Sequence, residues 1–236
     1  MDKLYIVIPA YNEEENIETV VREWYNIIVK VNGQSRIVII DDGSKDSTYL
    51  KLKNLQKDLP QLTAITKSNS GHGATVLYGY HYALDHGADY IFQTDSDRQT
   101  VAGDFFQFWE AREQYEAQIG YRKKRKDGNN RVFVSKILRL TLFLYFGLWI
   151  TDANTPFRLV NRNIMDKLIP QIPADYNLTN VLLTVLLEKS KVKMRYLQIT
   201  FRPRQGGVSS INMKSIFKIG KKAIGDFIIL RKAIKK

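Results

Sequence analysis

Short apolar runs, each followed by polar or turn-forming residues, dominate the first hundred positions of the chain. They occupy residues 4–8, 36–40, 62–66 and 90–92. Runs of this length, bounded by turn residues, are typical of buried parallel strands. Helical stretches separate them, with Asn12 and Asp46 as predicted caps of the first two. The alternation predicts an α/β fold with a mainly parallel central sheet flanked by helices.

The second half of the chain has a less regular pattern. We predict a helix over residues 105–118 and a strand at 119–121. A further helix, capped by Asn177, is expected to run to Glu188, and alternation over residues 193–201 predicts an edge strand. The pattern therefore continues the α/β fold.

Residues 140–150 are the most apolar stretch and residues 214–236 the most amphipathic one. Eleven residues are too few to cross a bilayer, which needs about 20. The first stretch is therefore either a core helix or an interfacial helix. The second predicts a basic helix that either binds a membrane surface or packs on the domain with a solvated lysine face. We divide the chain into a domain over residues 1–210 and a helical tail over residues 211–236.

The formal net charge of +12 is concentrated in two segments, residues 121–139 and 202–236. Such segments usually meet phosphates in nucleic acid, anionic lipid or a phosphorylated substrate. RNA binding is disfavoured because no RNA-binding module is recognisable. The chain has no cysteine, which excludes disulfides and cysteine-ligated zinc. The first strand begins near Met1, so no signal peptide is expected.

Two aspartates follow the fourth apolar run, in the sequence Asp95-Ser96-Asp97 with Gln99 close behind. Ligands bind at the carboxyl ends of strands in open α/β sheets. Hard oxygen ligands at such a place suit Mg²⁺ or Mn²⁺ held partly by a diphosphate. The alternative is a solvated acidic turn, since a single short motif has a high false-positive rate.

Two other strand ends carry candidate binding residues. Asp41 and Asp42 follow the second strand and could accept hydrogen bonds from a ribose or a base, or could simply form a turn. The loop that contains Gly71 begins a helix, where backbone N–H groups bind anions. His72 in this loop reads as a loop residue rather than a catalyst.

Three motifs occur in order: residues 7–17, Asp41-Asp42-Gly43-Ser44, and Asp95-Ser96-Asp97 with Gln99. Together they resemble the motifs of family-2 glycosyltransferases of the GT-A fold. More narrowly, they resemble the dolichol-phosphate mannose synthase-like branch, which transfers sugars to polyprenyl phosphates. The resemblance covers roughly residues 1–210.

The resemblance implies a nucleotide-diphospho-sugar donor, a divalent metal ion and inversion at the anomeric carbon. The residues that would bind the donor are Pro9, Tyr11, Glu13, Asp42, Gly71, Asp95 and Ser96. The metal ligands would be Asp95, Asp97 and Gln99. The sequence departs from the branch at this motif, because Arg98 stands where a small apolar residue is usual and Thr100-Val101 stand where His-Pro usually follows.

The basic loops resemble the phosphate-binding loops of the same branch. Arg122, Arg131 and Ser135 match the first loop, and Arg204, with Arg202 as second choice, matches the loop on the acceptor side. Asp152 would orient the acceptor or its basic partners. The catalytic set is therefore Asp97, Asp152, Arg122, Arg131 and Arg204.

The predicted function is metal-dependent sugar transfer to a polyprenyl phosphate, by a protein bound peripherally to the cytoplasmic face of a membrane. The expected partners are the nucleotide-sugar, the lipid phosphate and an anionic membrane surface, with a separate membrane protein as an optional further partner and no nucleic acid. The alternatives are transfer to a saccharide or lipid-linked sugar, and a non-catalytic module that binds anions or membranes.

Overall fold

The computed structural model describes residues 1–122 and 129–202 together with Gly225 and Phe227, and it gives only the backbone of residues 129–134. The strands are Leu4–Ala10 (β1), Arg36–Asp41 (β2), Leu62–Thr66 (β3), Tyr90–Gln93 (β4), Ala117–Tyr121 (β5), Arg158–Asn161 (β6) and Met194–Gln198 (β7). The helices are Ile17–Val31 (α1), Thr48–Asp58 (α2), His72–Asp85 (α3), Phe106–Trp109 (α4), Asn129–Phe146 (α5), Arg162–Leu168 (α6) and Thr179–Lys189 (α7), with 3-10 turns at Ala102–Phe105 and Ile169–Gln171.

The described strands form one sheet in the order β3-β2-β1-β4-β6-β5-β7. Strands β1 to β4 pair in parallel, and so do β5 and β7. Strand β6 alone among them runs in the opposite direction, between β4 and β5. The prediction of a mainly parallel α/β sheet with flanking helices is confirmed.

Both faces of the sheet are covered, which explains why the strands read as continuous apolar runs. In β1, Tyr5 and Val7 join a core on the side of α3 and α7. Ile6 and Ile8 join the core on the opposite side, with α1. There Trp24 packs against Phe92, with ring centroids 5.4 Å apart. The sheet is therefore buried on both faces, and its loops are left to bind ligands.

Several predicted element boundaries were wrong. The helix expected over residues 105–118 ends at Trp109, because Glu116 N donates to the carbonyl of Lys193 and starts β5 instead. Asn12 does not cap α1, which begins at Ile17; its side chain accepts from Lys45 N at 2.8 Å. Asn177 does not cap α7, which Leu178 precedes without a side-chain capping bond. Tertiary contacts overrode local preference at Glu116 and at Asn12.

Strand β6 and helix α6 were not predicted, and the edge strand β7 was predicted too long. The apolar stretch at residues 140–150 belongs mostly to α5, with Leu142 buried and Leu144 exposed, so the helix has a core side and an exposed side. The predicted tail at 211–236 lies outside the described residues except for Gly225 and Phe227. Phe227 is buried against Phe146.

Candidate active site

Asp42 lies at the centre of a hydrogen-bonded cluster where β2 ends. Its carboxylate forms an ion pair with Lys67, which follows β3. The same carboxylate accepts from the backbone N–H groups of Ser70 and Gly71, each at 2.9 Å. Gly71 has a φ of +89°, a region that glycine adopts without strain. The parallel strands thus bring together residues 25 to 29 positions apart.

Burial alone would raise the pKa of Asp42, because it disfavours the charged form. The hydrogen bonds from Lys67, Ser70 and Thr75 outweigh that effect and hold the pKa below its ordinary value. Asp42 is therefore an anion at neutral pH, held in place by groups of the protein itself. The N–H of Gly71, expected to meet a ligand anion, already donates to this carboxylate.

The loops after β1 and β2 are joined side by side. Glu13 is buried, its N–H donates to Thr48 Oγ1 at 2.8 Å, and its carboxylate accepts from Asn16. Tyr11 is 38% exposed at the surface of this loop. Pro9, which was expected to end the strand, lies inside β1 opposite Ile40. The predicted nucleoside-binding residues therefore lie along one edge of the sheet.

The acidic turn after β4 contacts two other parts of the site. His72 Nε2, in the first turn of α3, lies 3.0 Å from Asp95 Oδ1. Asp97 Oδ1 accepts from the N–H of Gln99 at 3.1 Å. Gln99 forms two hydrogen bonds with the backbone of Arg202. The N–H of Arg202 donates to the carbonyl of Gln99 at 2.7 Å, and Nε2 of Gln99 donates to the carbonyl of Arg202 at 3.4 Å. The turn is thus fixed to the start of the segment on the acceptor side.

Arg98, the residue that departs from the branch pattern, adopts a left-handed conformation with φ of 58°. Its guanidinium pairs with Glu23 on α1 at 3.6 Å. The unusual side chain is therefore engaged by a helix, and Asp97 and Gln99 stay adjacent on either side of it.

Arg122 and Asp152 form a two-pronged ion pair at the other side of the edge. Arg122 Nε and Nη2 donate to the Asp152 carboxylate at 2.7 and 2.9 Å. The guanidinium also lies over the ring of Phe201, 4.9 Å from its centroid. Phe201 forms a β-bridge with Thr100, one residue beyond Gln99. These contacts connect the arginine to the acidic turn.

Two residues of the site were missed or undervalued from sequence. Lys67 follows β3 just as Asp42 follows β2. The rule that ligands bind at the carboxyl ends of parallel strands could therefore have found Lys67. His72 was interpreted as a loop residue, yet it contacts Asp95. The ring of His72 is half exposed; its partial removal from water lowers the pKa, but the carboxylates of Asp95, Asp97 and Asp42 together raise the pKa above its ordinary value. No sequence signal pointed to that contact.

Other predicted residues are less well defined. The side chain of Arg131 and all of Arg204 lie outside the described residues. Ser96 is buried in the acidic turn. Within the described part of the chain, no group of three or more His, Cys, Asp or Glu side chains is arranged to hold a metal ion. The two aspartates with Gln99 are a smaller set, so their role as metal ligands stays a prediction.

Comparison with known proteins identifies the family. Residues 5–169, more than two thirds of the chain, match the model of glycosyl transferase family 2. The chain belongs to that family. It is a glycosyltransferase, and the resemblance read from its three motifs is confirmed.

Relatives and solved structures agree with this assignment. The chain is 29% identical over 214 residues to the UDP-N-acetylglucosamine–dolichyl-phosphate N-acetylglucosaminyltransferase of Methanococcus voltae, covering 82% of this chain and 83% of that protein. It is 26% identical over 172 residues to the undecaprenyl-phosphate 4-deoxy-4-formamido-L-arabinose transferase of Pseudomonas fluorescens, covering 70% of this chain. It spans only 48% of that second relative.

The fold resembles that of glucosyl-3-phosphoglycerate synthase from Mycobacterium tuberculosis, with a TM-score of 0.65 and 15% identity. The match covers 98% of this chain and 79% of that one, whose structure contains Mn²⁺, UDP-glucose and phosphoglyceric acid. At this identity the likeness shows the fold, which is the GT-A arrangement expected from the sequence.

Proposed function

We propose that this chain transfers a sugar from a nucleotide-diphospho-sugar to a polyprenyl phosphate at the cytoplasmic face of a membrane. One observation carries the proposal: the relatives described above, matched over 70% or more of this chain, are named as sugar transferases that use dolichyl or undecaprenyl phosphate. The arrangement of carboxylates and arginines along one sheet edge supports it.

The cluster around Asp42 is suited to the nucleoside of the donor. A carboxylate has about four acceptor positions. In Asp42, Lys67 and the N–H groups of Ser70 and Gly71 take three of them, and the Thr75 hydroxyl, which also bonds the carbonyl of Gly71, lies at the fourth. A donor group of the base or ribose would take the place of the Thr75 hydroxyl. Because the groups of this cluster fix one another by hydrogen bonds, little ordering is needed when the donor binds. Tyr11, exposed at the same edge, would cover the nucleoside.

A divalent cation fits the chemistry of the acidic turn. Asp95, Asp97 and Gln99 offer hard oxygen atoms, and the nearby cation Arg98 pairs with Glu23. These three residues would hold Mg²⁺ or Mn²⁺ beside the donor diphosphate. When bound, the ion would offset negative charge on the leaving group. His72, in contact with Asp95, would help to fix that carboxylate.

The acceptor phosphate would be met by arginines. The bonds from Arg122 to Asp152 use Nε and Nη2, so a phosphate oxygen would be met by Nη1. Arg204, which the sequence assigns to the acceptor, would supply a second contact. A phosphate group is already mostly ionised at neutral pH, so no strong general base is required. Positioning and charge neutralisation therefore account for most of the expected catalysis.

Transfer of a labelled sugar tests the proposal directly. The full chain with Mn²⁺ would be supplied with UDP- and GDP-linked sugars and with a short-chain polyprenyl phosphate, and label in the organic phase would be counted. We expect label to reach the lipid with at least one donor, and not to reach the matched polyprenol that lacks the phosphate. Transfer only to a saccharide or to water would refute the lipid-phosphate acceptor.

An exposed apolar surface on α5 supports attachment to a membrane. It consists of Ile137, Leu140, Phe143, Leu144 and Trp149, each about half exposed or more. Contiguous exposed apolar surface of this kind marks an interaction site. We name these five residues the α5 apolar surface.

The surroundings of the α5 apolar surface favour anionic lipid as its partner. Lys136 and Arg139 lie on the same helix, and Arg139 lies over the Trp149 ring at 5.6 Å. Arg139 also donates to the carbonyl of Thr151, the neighbour of Asp152. The surface therefore leads directly to the Arg122–Asp152 pair, where a lipid phosphate would be needed. No helix in the described residues is long and apolar enough to cross a membrane.

Vesicle sedimentation tests this attachment. Leu140→Asn with Leu144→Asn should reduce binding to vesicles that contain anionic phospholipid. The matched control is Val29→Asn with Leu50→Asn, which changes two equally exposed apolar residues elsewhere on the molecule. A chain ending at Ser210 separates the contribution of the basic tail. Equal binding by the α5 variant and its control would refute a role for this surface.

A further inference from the structure

Arg158 is a fully buried arginine directly beneath the candidate site. It is 1% exposed and is the first residue of β6. Because β6 runs opposite to its neighbours, its beginning lies where β4 and β5 end: Arg158 is paired with Gln93 and with Ile119. The reversed direction of β6 thus places a positively charged side chain at the ligand-binding edge of the sheet.

The guanidinium of Arg158 is held by neutral oxygen atoms. Nε and Nη2 donate to the carbonyl of Thr155 at 3.2 and 2.5 Å, and Nη2 also donates to the carbonyl of Ala153 at 3.4 Å. Nη1 donates to the carbonyl of Asn180 at 3.0 Å and to Thr184 Oγ1 at 3.3 Å. The arginine therefore fastens the 153–155 segment to helix α7.

Stability alone is a weak explanation for this buried charge. Replacing buried ionic groups by apolar residues of similar volume is often neutral or stabilising. The surroundings also leave polar atoms without hydrogen-bond partners, namely Thr155 Oγ1, Asn180 Oδ1 and Gln93 Nε2. An apolar side chain at position 158 would avoid the cost of burying a charge, but it would leave the carbonyls of Ala153, Thr155 and Asn180 without this donor. The charge is better explained by what its bonds hold in place.

The bonds hold the segment that follows Asp152. We infer that Arg158 is a positioning residue, which fixes residues 153–155 and thereby sets where Asp152 holds Arg122. The chain of contacts runs from Arg158 to the carbonyls of Ala153 and Thr155, and from Asp152 to Arg122. The inference rests on the proposed function, because Arg122 is there the group that meets a phosphate.

A double-mutant cycle tests this route. Arg158→Met keeps the volume, removes the bonds and should lower kcat/KM for nucleotide-sugar turnover by about tenfold or more, with a smaller effect on donor binding. Combined with Asp152→Asn, it should cost little beyond the loss from Asp152→Asn alone, since both changes break one route. Arg158→Lys retains the charge and should recover part of the activity; it also serves if the Met variant does not fold.

Arg162→Met is the matched control. Arg162 also donates to backbone carbonyls, those of Leu84 and Ala88, but at the opposite end of β6. The fold-losses in kcat/KM caused by Arg162→Met and by Asp152→Asn should multiply when the two changes are combined. Independent, multiplying losses for Arg158 and Asp152 would overturn the inference, as would full activity of Arg158→Met. Turnover is scored with any acceptor that works, so failure of the polyprenyl-phosphate proposal would appear separately, in the wild-type acceptor comparison.

Discussion

The two sides of the candidate site are built in different ways. On the donor side, Asp42, Lys67 and Gly71 come from successive loops of a parallel sheet and lie within 30 positions of one another. On the acceptor side, Arg122 depends on Asp152 and Phe201, and Gln99 contacts Arg202 across 103 positions. The donor side is local in sequence, whereas the acceptor side is assembled from distant segments.

This difference shows where site residues can be predicted from the ends of strands. Parallel strands bring all their carboxyl ends to one edge, so polar residues that follow them meet there. On the acceptor side, Arg122 follows β5 as this rule expects, but Asp152, which holds Arg122, precedes the reversed strand β6. A substitution on the donor side should therefore affect partners in neighbouring loops, while one on the acceptor side should affect partners in distant segments of the chain.

The largest effect on the transfer rate is expected from Asp97→Asn, which removes a single charge on the donor side. It should lower metal-dependent transfer by about 10²-fold or more, because a ligand charge beside the diphosphate is lost. Initial rates across a Mn²⁺ titration give the measurement, with thermal unfolding to check the fold. Asp58→Asn, an exposed aspartate at the end of α2, is the control. A wild-type rate in Asp97→Asn would remove this residue from the metal site.

A second prediction separates binding from stability at Asp42. Asp42→Asn leaves the largely buried Lys67 without its charged partner, which should destabilise the fold by about 3 kcal/mol. Adding Lys67→Met should restore much of that stability. Donor affinity, measured by calorimetry, should stay low in both variants. Recovered donor affinity in the double variant would mean that the pair serves the fold alone.

The third prediction tests the division between the two sides with paired substitutions. Arg122→Lys cannot reproduce the two-pronged bond to Asp152 and should raise the KM for the acceptor phosphate. Arg204→Lys should raise the KM for the acceptor and change donor affinity by less than about twofold, roughly 0.4 kcal/mol. Calorimetry measures donor affinity, and initial rates across an acceptor titration give the KM for the acceptor. If Arg204→Lys weakens donor binding and spares the acceptor, the division fails.

The smallest effect is a pH dependence specific to the donor side. The pKa of Asp42 is held below its ordinary value of 3.8, so its stabilising contribution is complete above that pH and is lost as the pH falls below it. The melting temperature of the wild type should drop further below pH 4 than that of the double variant Asp42→Asn, Lys67→Met. We expect a difference of about 2–4 °C. Parallel melting curves would contradict the charged, hydrogen-bonded state of Asp42.

Much of the fold and of the donor side follows from the sequence by itself. The first four strands were predicted within two residues of their limits, because runs buried on both faces are continuously apolar. The same runs locate the loops that carry Asp42 and Asp95. Helix limits were less predictable: the side chain of Asn12 bonds Lys45 in another loop instead of capping a helix, and α7 begins without a side-chain cap.

Only the tertiary structure decided the acceptor side and the direction of β6. A strand of four residues carries no sequence signal of its direction, and direction determines which of its ends reaches the site. The burial of Arg158 depends on that reversal. The ion pair of Asp152 with Arg122 and the contact of His72 with Asp95 each join residues 23 or more positions apart. Local patterns report burial and turns, but pairing between distant segments is set by packing of the whole sheet.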